Sequence, residues 1–210
     1  MDLSHPIESV IPSAHGPVLA VLASTEAPLT GRGVAALLDG RVSTRRVAGV
    51  LQELAEAGVV LRNQAGAAYQ YRLNREHLAA PSIIALACLR ATLLDAIKHE
   101  AESWSPSAVA VWLFGSVARG TADSTSDVDL LVLRPSSVPE DASDWTAHVS
   151  TLEDHIQRWT GNEANVIEYG EHEFSALVEA HDRLVDALRA DAITIAGDSV
   201  LHRCRARSGR

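Results

Sequence analysis

Residues 114–135 read FGSVARGTADSTSDVDLLVLRP. An apolar run, AVAVWLF at 108–114, leads into Gly115-Ser116; a small, polar, turn-rich segment follows; then Asp127 stands just before the apolar run VDLLVL (128–133) and Asp129 inside it. Continuous short apolar runs are what buried strands require. Side chains alternate across a strand, so Asp127 and Asp129 point one way while Val128 and Leu130 point to the core. Two carboxylates that close repel, and one stays protonated unless a cation sits between them. Magnesium suits such a pair, because it takes few protein oxygens and completes its shell with water and phosphate. A glycine at 115 lets the backbone approach a ligand closely, a following turn of helix aims free N–H groups at phosphate, and Ser116 adds a hydroxyl.

The pattern Gly115-Ser116-x-x-Arg119-Gly120 followed by Ser126-Asp127-x-Asp129-Leu130 resembles the signature of the DNA polymerase β-type nucleotidyltransferase superfamily, above all its small prokaryotic "minimal" members. The motif covers some twenty residues, and the family would account for roughly 108–200. The resemblance implies a two-metal mechanism: Asp127 and Asp129 bind Mg²⁺ (or Mn²⁺) that bridges the triphosphate, and an acceptor hydroxyl attacks the α-phosphorus and releases pyrophosphate. It further implies nucleotide contacts from Gly115, Ser116 and Ser126. Arg119 either neutralises phosphate charge or braces the loop. A third carboxylate belongs early on a later strand, here EANVIEYG (163–170), where Asn165 aligns. An amide cannot act as a base. Glu168 is the nearest acid on the strand proper and the candidate third catalytic residue, but three residues on means the opposite face unless a bulge shifts the register; otherwise it is a solvated strand-end acid. Glu163 shares the parity of Asn165 at the strand mouth.

The first third of the chain reads differently. GPVLAVLAST (16–25) is an apolar helix entered through Pro17. Thr30 caps a second helix, GRGVAALL (31–38), and Ser43 caps a third, TRRVAGVLQELAEAG (44–58), with Val47, Val50, Leu51 and Leu54 at helical spacing and Gly58 to end it. Two strand-like runs, VVLRN and AAYQYRL, surround a turn supported by Gly66, with Tyr69, Tyr71 and Leu73 alternating with Gln70 and Arg72. Three helices and a two-strand wing resemble the winged helix-turn-helix family, whose third helix is laid into the DNA major groove. Carried onto this chain, the resemblance implies DNA contacts from Arg41, Ser43, Arg45 and Arg46 at the helix start and from Arg62 and Arg72 on the wing, beside Asn63 and Gln64. The alternative is a winged helix with solvated arginines that serves as a protein–protein module.

Charge divides the chain in the same place. The net charge is −9, yet residues 29–75 hold seven arginines against three acids, while residues 81–210 hold 11 bases and 20 acids. A locally basic module on an acidic body suggests two functions. The start MDLSHPIESV carries no base, and apolar runs such as PSIIALACL fall short of the roughly 18 residues that span a bilayer. No membrane association is therefore expected. Cys88 and Cys204 match no metal or redox spacing, which suits reduced thiols in a cytoplasmic protein.

The fold class expected is α+β: a winged helix-turn-helix domain over 1–80, a connecting helix over 81–105 (stripe Ile83, Leu86, Leu89, Leu93, Ile97) that is a connector or a dimer contact, a nucleotidyltransferase fold with a small mixed sheet flanked by helices over 106–200, and a basic tail over 201–210. The segment 171–200 reads as a helix and a short final strand at Ile193–Ile195. The function expected is transfer of a nucleoside monophosphate from an NTP to an unknown acceptor, a small-molecule or protein hydroxyl, coupled to double-stranded DNA binding, with a homodimer common for such DNA binders. The alternatives are a DNA-binding transcriptional regulator whose transferase fold senses nucleotide or is catalytically inactive, and an antitoxin-like partner that modifies or masks a toxin.

Overall fold

A computed structural model describes residues 1–199; the expected basic tail and Cys204 lie outside them. The chain divides into two compact units, His5–Arg90 and Met1–Ser4 together with residues from Ala91 onward.

The His5–Arg90 unit runs α1 (Pro6–Val10), α2 (His15–Ala23), β1 (Leu29–Thr30), α3 (Gly31–Leu37), α4 (Thr44–Glu56), β2 (Val60–Ala65), β3 (Ala68–Leu73) and α5 (Ala80–Ala87). The caps form as their residue types dictate: the Thr30 hydroxyl accepts from the Gly33 N–H at 3.1 Å and the Ser43 hydroxyl from the Arg46 N–H at 3.3 Å. Each satisfies a donor left open by the first helical turn, an arrangement that contributes about 1 kcal/mol. The face of α4 carrying Val47, Val50, Leu51 and Leu54 is buried against Val18, Leu22, Val34 and Leu38. β2 and β3 pair antiparallel with Arg62 opposite Tyr71 and Gln64 opposite Tyr69. β1 adds a third strand the sequence reading did not anticipate, giving the order β1-β3-β2.

The single helix expected over 81–105 is two. α5 ends at Cys88, and α6 spans Leu89–Ser103. The apolar stripe serves two cores: Ala80 and Ile83 pack in the core of the His5–Arg90 unit, whereas Leu93, Ile97 and Ala101 pack in the other. A periodicity count cannot register that change of partner, because the spacing is unbroken.

The second unit continues with β4 (Ala110–Phe114), α7 (Gly115–Arg119), β5 (Val128–Arg134), α8 (Ser143–Thr160), β6 (Ala164–Gly170), α9 (Glu171–Glu179), α10 (Arg183–Asp191) and β7 (Ile193–Gly197). The sheet order is β6-β5-β4-β7, with β5 and β6 parallel and the other pairs antiparallel. The parallel pair needs a crossover, which α8 supplies. One sheet face (Val111, Leu113, Leu130, Val132) packs with α6 and with Trp145, Leu152 and Ile156 of α8; the other (Ala110, Trp112, Leu131, Leu133) packs with Phe174 of α9 and Val185 and Leu188 of α10. Burial on both faces explains why β4 and β5 read as unbroken apolar runs. Trp112 is wholly buried and donates its indole N–H to the Asp198 carbonyl at 2.7 Å; truncating such a residue to alanine costs about 3–5 kcal/mol. The expected single helix of 171–200 is likewise two, α9 and α10. The chain breaks at His181, whose φ is 53°, and restarts at Asp182, whose side chain accepts from the Leu184 N–H at 2.8 Å.

On the open side of β6, Glu153 of α8 accepts a hydrogen bond from the Val166 N–H, and burial nevertheless raises its carboxyl above the ordinary glutamate range. Acids set against an edge strand discourage further strand pairing there.

Candidate nucleotide site

β5 pairs with β4 so that Asp129 lies opposite Phe114, the last residue before Gly115. The turn from β4 into α7 therefore starts beside the Asp129 side chain. Gly115 has φ +74°, and a Cβ there would fall on the Asp129 carboxylate, with Cγ only 3.1 Å away. Two requirements thus converge on glycine: a backbone conformation unfavourable to other residues and the space the carboxylate occupies. Ser116 follows on α7, and its carbonyl accepts from the Thr121 N–H at 3.0 Å, which turns the chain back toward β5.

Asp127 is exposed one residue ahead of β5, and Asp129 is half-buried. Ser126 does not extend its hydroxyl from the loop. The hydroxyl donates to Asp123 Oδ1 at 3.1 Å and accepts from the Asp123 N–H at 3.0 Å. The same Asp123 oxygen accepts from the Thr125 N–H and hydroxyl, both at 2.8 Å. These bonds, led by the Thr125 N–H, hold the Asp123 carboxyl below its ordinary range. Asp123 was not singled out from sequence, although an Asp two residues before a Thr is a recognisable turn signal.

The parallel register of β5 and β6 places Asn165 beside Asp129, and its Nδ2 donates to Asp129 Oδ1 at 3.2 Å. Glu163 is exposed at the strand mouth. Glu168 is not brought to the pair. It lies beside Val132, on the other sheet face, and its Oε1 accepts from Arg134 Nε at 2.6 Å. No bulge interrupts the β5–β6 register from Val128–Ala164 to Arg134–Gly170. The alternative of a strand-end acid left in solvent also fails, because Arg134 is 7% exposed and holds it. Arg119 pairs with Asp191 of α10 at 2.8 Å.

Among the described residues no group of three His, Cys, Asp or Glu side chains gathers to hold a metal ion. The donor set at the pair is two carboxylates and an amide. It suits a hard divalent cation that shares its shell with phosphate oxygens, not a closed protein cage.

Residues 94–194 match the family described as nucleotidyltransferase domain. The C-terminal half carries a nucleotidyltransferase domain. Its match begins within α6 and ends in β7, so it takes in the sheet, the Gly115 turn and both aspartates. No curated protein matches the chain significantly. Among solved structures, the chain is similar to one described as "Structure of TrmBL2, an archaeal chromatin protein, shows a novel mode of DNA binding", at 13% identity over 89% of this chain and 78% of that one, with a TM-score of 0.31. So low a score carries no argument about fold or binding. No single helix among the described residues is long and apolar enough to cross a membrane.

In the His5–Arg90 unit the expected DNA-contacting arginines differ in their surroundings. Arg41 is paired with Glu8, and Arg46 with Glu53 at 3.3 Å; His15 Nε2 lies 2.9 Å from the same Glu53 carboxylate. Arg45 and Arg72 are exposed, and the Arg62 guanidinium sits 4.6 Å from the Tyr69 ring centre on the wing. Ser43 is occupied as the α4 cap.

Proposed function

We propose that the nucleotidyltransferase domain transfers a nucleoside monophosphate from an NTP to an acceptor hydroxyl, on a small molecule or a protein, and releases pyrophosphate. Asp127 and Asp129 hold Mg²⁺ or Mn²⁺, which supplies charge neutralisation to the triphosphate and to the developing oxyanions. The backbone amides from Gly115 onward and the Ser116 hydroxyl hold phosphate oxygens and orient the chain in line with the acceptor. Ser126 contributes by shaping the aspartate loop. Arg119 acts by bracing α7 through Asp191. The observation that carries this reading is the fit of Gly115 against Asp129: a side-chain-free backbone and a carboxylate meet at one strand end, within the matched domain.

A second reading is favoured by Asn165. An amide takes no proton from an acceptor and binds magnesium more weakly than a carboxylate does. The domain then binds NTP with its cation but turns over slowly or not at all, and the winged-helix unit carries the output as a double-stranded-DNA-binding regulator through Arg45, Arg62 and Arg72. Incubation with each alpha-phosphate-labelled NTP and Mg²⁺ or Mn²⁺ separates the two. Pyrophosphate release with a labelled product supports transfer. Saturable, cation-dependent binding without release supports sensing, and no cation-dependent binding removes both.

A further inference from the structure

Asp127 sits in a backbone clamp built by the turn between α8 and β6. Asn162 Nδ2 donates to the Ser126 carbonyl at 2.8 Å, on the residue before Asp127. The Val128 N–H donates to the Glu163 carbonyl at 2.9 Å, on the residue after it. Asn162 is 4% exposed, one of few buried polar side chains among the described residues. Its other bonds fix it in turn: its N–H donates to the Thr160 hydroxyl at 3.0 Å, that hydroxyl donates to the Ile156 carbonyl at 2.7 Å, and its Oδ1 accepts from the Met1 amino group at 2.6 Å. A buried amide bonded through both its nitrogen and its oxygen is conformationally fixed, because rotating it leaves polar groups unpaired. On the other side, Asp123 ties Thr125 and Ser126 to itself.

We propose that Asn162, with Asp123 as its loop partner, is a positioning residue that presents the Asp127 carboxylate to the cation–triphosphate. This rests on the reading of Asp127 and Asp129 as cation ligands. The physical reason for such a device is location. Asp127 lies one residue ahead of β5, so the sheet holds only its C-terminal side, through the Val128 N–H, and the loop side depends on Asn162 and Asp123. An exposed carboxylate on an unrestrained loop samples many positions, and restricting it before binding removes that entropy from the binding step. Groups that orient metal ligands typically change metal affinity 10–100-fold when altered.

The test uses the full chain and Mn²⁺–tripolyphosphate, which needs no knowledge of the base. Asn162→Asp keeps the size and the acceptor toward Met1 but loses the donor to Ser126. Calorimetry is expected to show Mn²⁺–tripolyphosphate binding weakened about 10-fold or more, with metal-free tripolyphosphate binding unchanged. A residue that merely supported the fold would lower both together. Asp123→Ala, on an exposed loop, is expected to shift the metal-dependent affinity in the same direction; it carries the comparison should the buried variant fail to fold. If the folded variants bind Mn²⁺–tripolyphosphate like the wild type while Asp127→Asn does not, the clamp is overturned and the metal site stands. If Asp127→Asn itself binds like the wild type, the metal site falls and the clamp with it.

Discussion

Asn165 Nδ2 lies 3.2 Å from Oδ1 of Asp129 and donates to it across the parallel β5–β6 pair. The residue standing beside the carboxylate pair on the neighbouring strand is therefore neutral and a donor. This single contact divides the transfer reading from the sensing one.

Asn165→Asp replaces that donor with a third acid. Without divalent cations the variant should be less stable than the wild type by about 1–2 kcal/mol, since a favourable bond becomes a like-charge contact. Mg²⁺ or Mn²⁺ should restore the loss, and pyrophosphate release should rise. Thermal melts in EDTA and in Mn²⁺, with a release assay, check each part. Equal melting of variant and wild type in EDTA would place residue 165 away from Asp129.

Gly115→Ala should lose both stability and cation-dependent binding, because the new methyl group displaces the Asp129 carboxylate. Gly120→Ala is the control. Its φ of +69° is similar, but a Cβ there meets nothing within 4 Å. It should cost about 1–2 kcal/mol of backbone strain and leave binding intact. Urea unfolding and nucleotide titration of the two variants separate strain from displacement.

Glu168→Gln should leave cation binding unchanged and lower stability by about 2 kcal/mol, since the buried Arg134 guanidinium loses the nearer of its two charged partners while keeping Glu173 at 3.8 Å and the Val138 carbonyl. Urea midpoints and Mn²⁺ titration of the same variant check both halves. A selective loss of Mn²⁺ binding would return Glu168 to the site.

The outline of the candidate site was legible because its signals are local. The aspartates lie two residues apart, the Gly-Ser turn sits at a strand end, and the alternation rule already placed Glu168 on the far face. What could not be read were partners distant in the chain. Arg134 reaches Glu168 across 34 residues, Arg119 reaches Asp191 across 72, and Asn162 reaches Ser126 across 36. Each is a polar pairing that no periodicity encodes. The break at Cys88 escaped for a related reason: Ile83 and Leu93 belong to one stripe by spacing and to two cores by packing. The caps at Thr30 and Ser43 were legible, since a cap is settled within four residues.

The arginines of α4 allow a sharper test of DNA binding than their sequence positions do. Arg45→Ala should weaken binding to duplex DNA and reduce the slope of log affinity against log salt by about 1. Arg46→Ala should do less, because its guanidinium already faces Glu53. Fluorescence anisotropy over a salt series measures both. Failure of the wild type to bind DNA at low salt would remove the DNA-binding role.

Cation-dependent nucleotide binding by the aspartate pair is tested by an NTP titration of the wild type and of the double variant Asp127→Ala with Asp129→Ala, each with Mg²⁺ and with EDTA. Mg²⁺ should strengthen nucleotide binding by the wild type and have no effect on the folded double variant. Equal Mg²⁺-dependent affinity in the two proteins would contradict it.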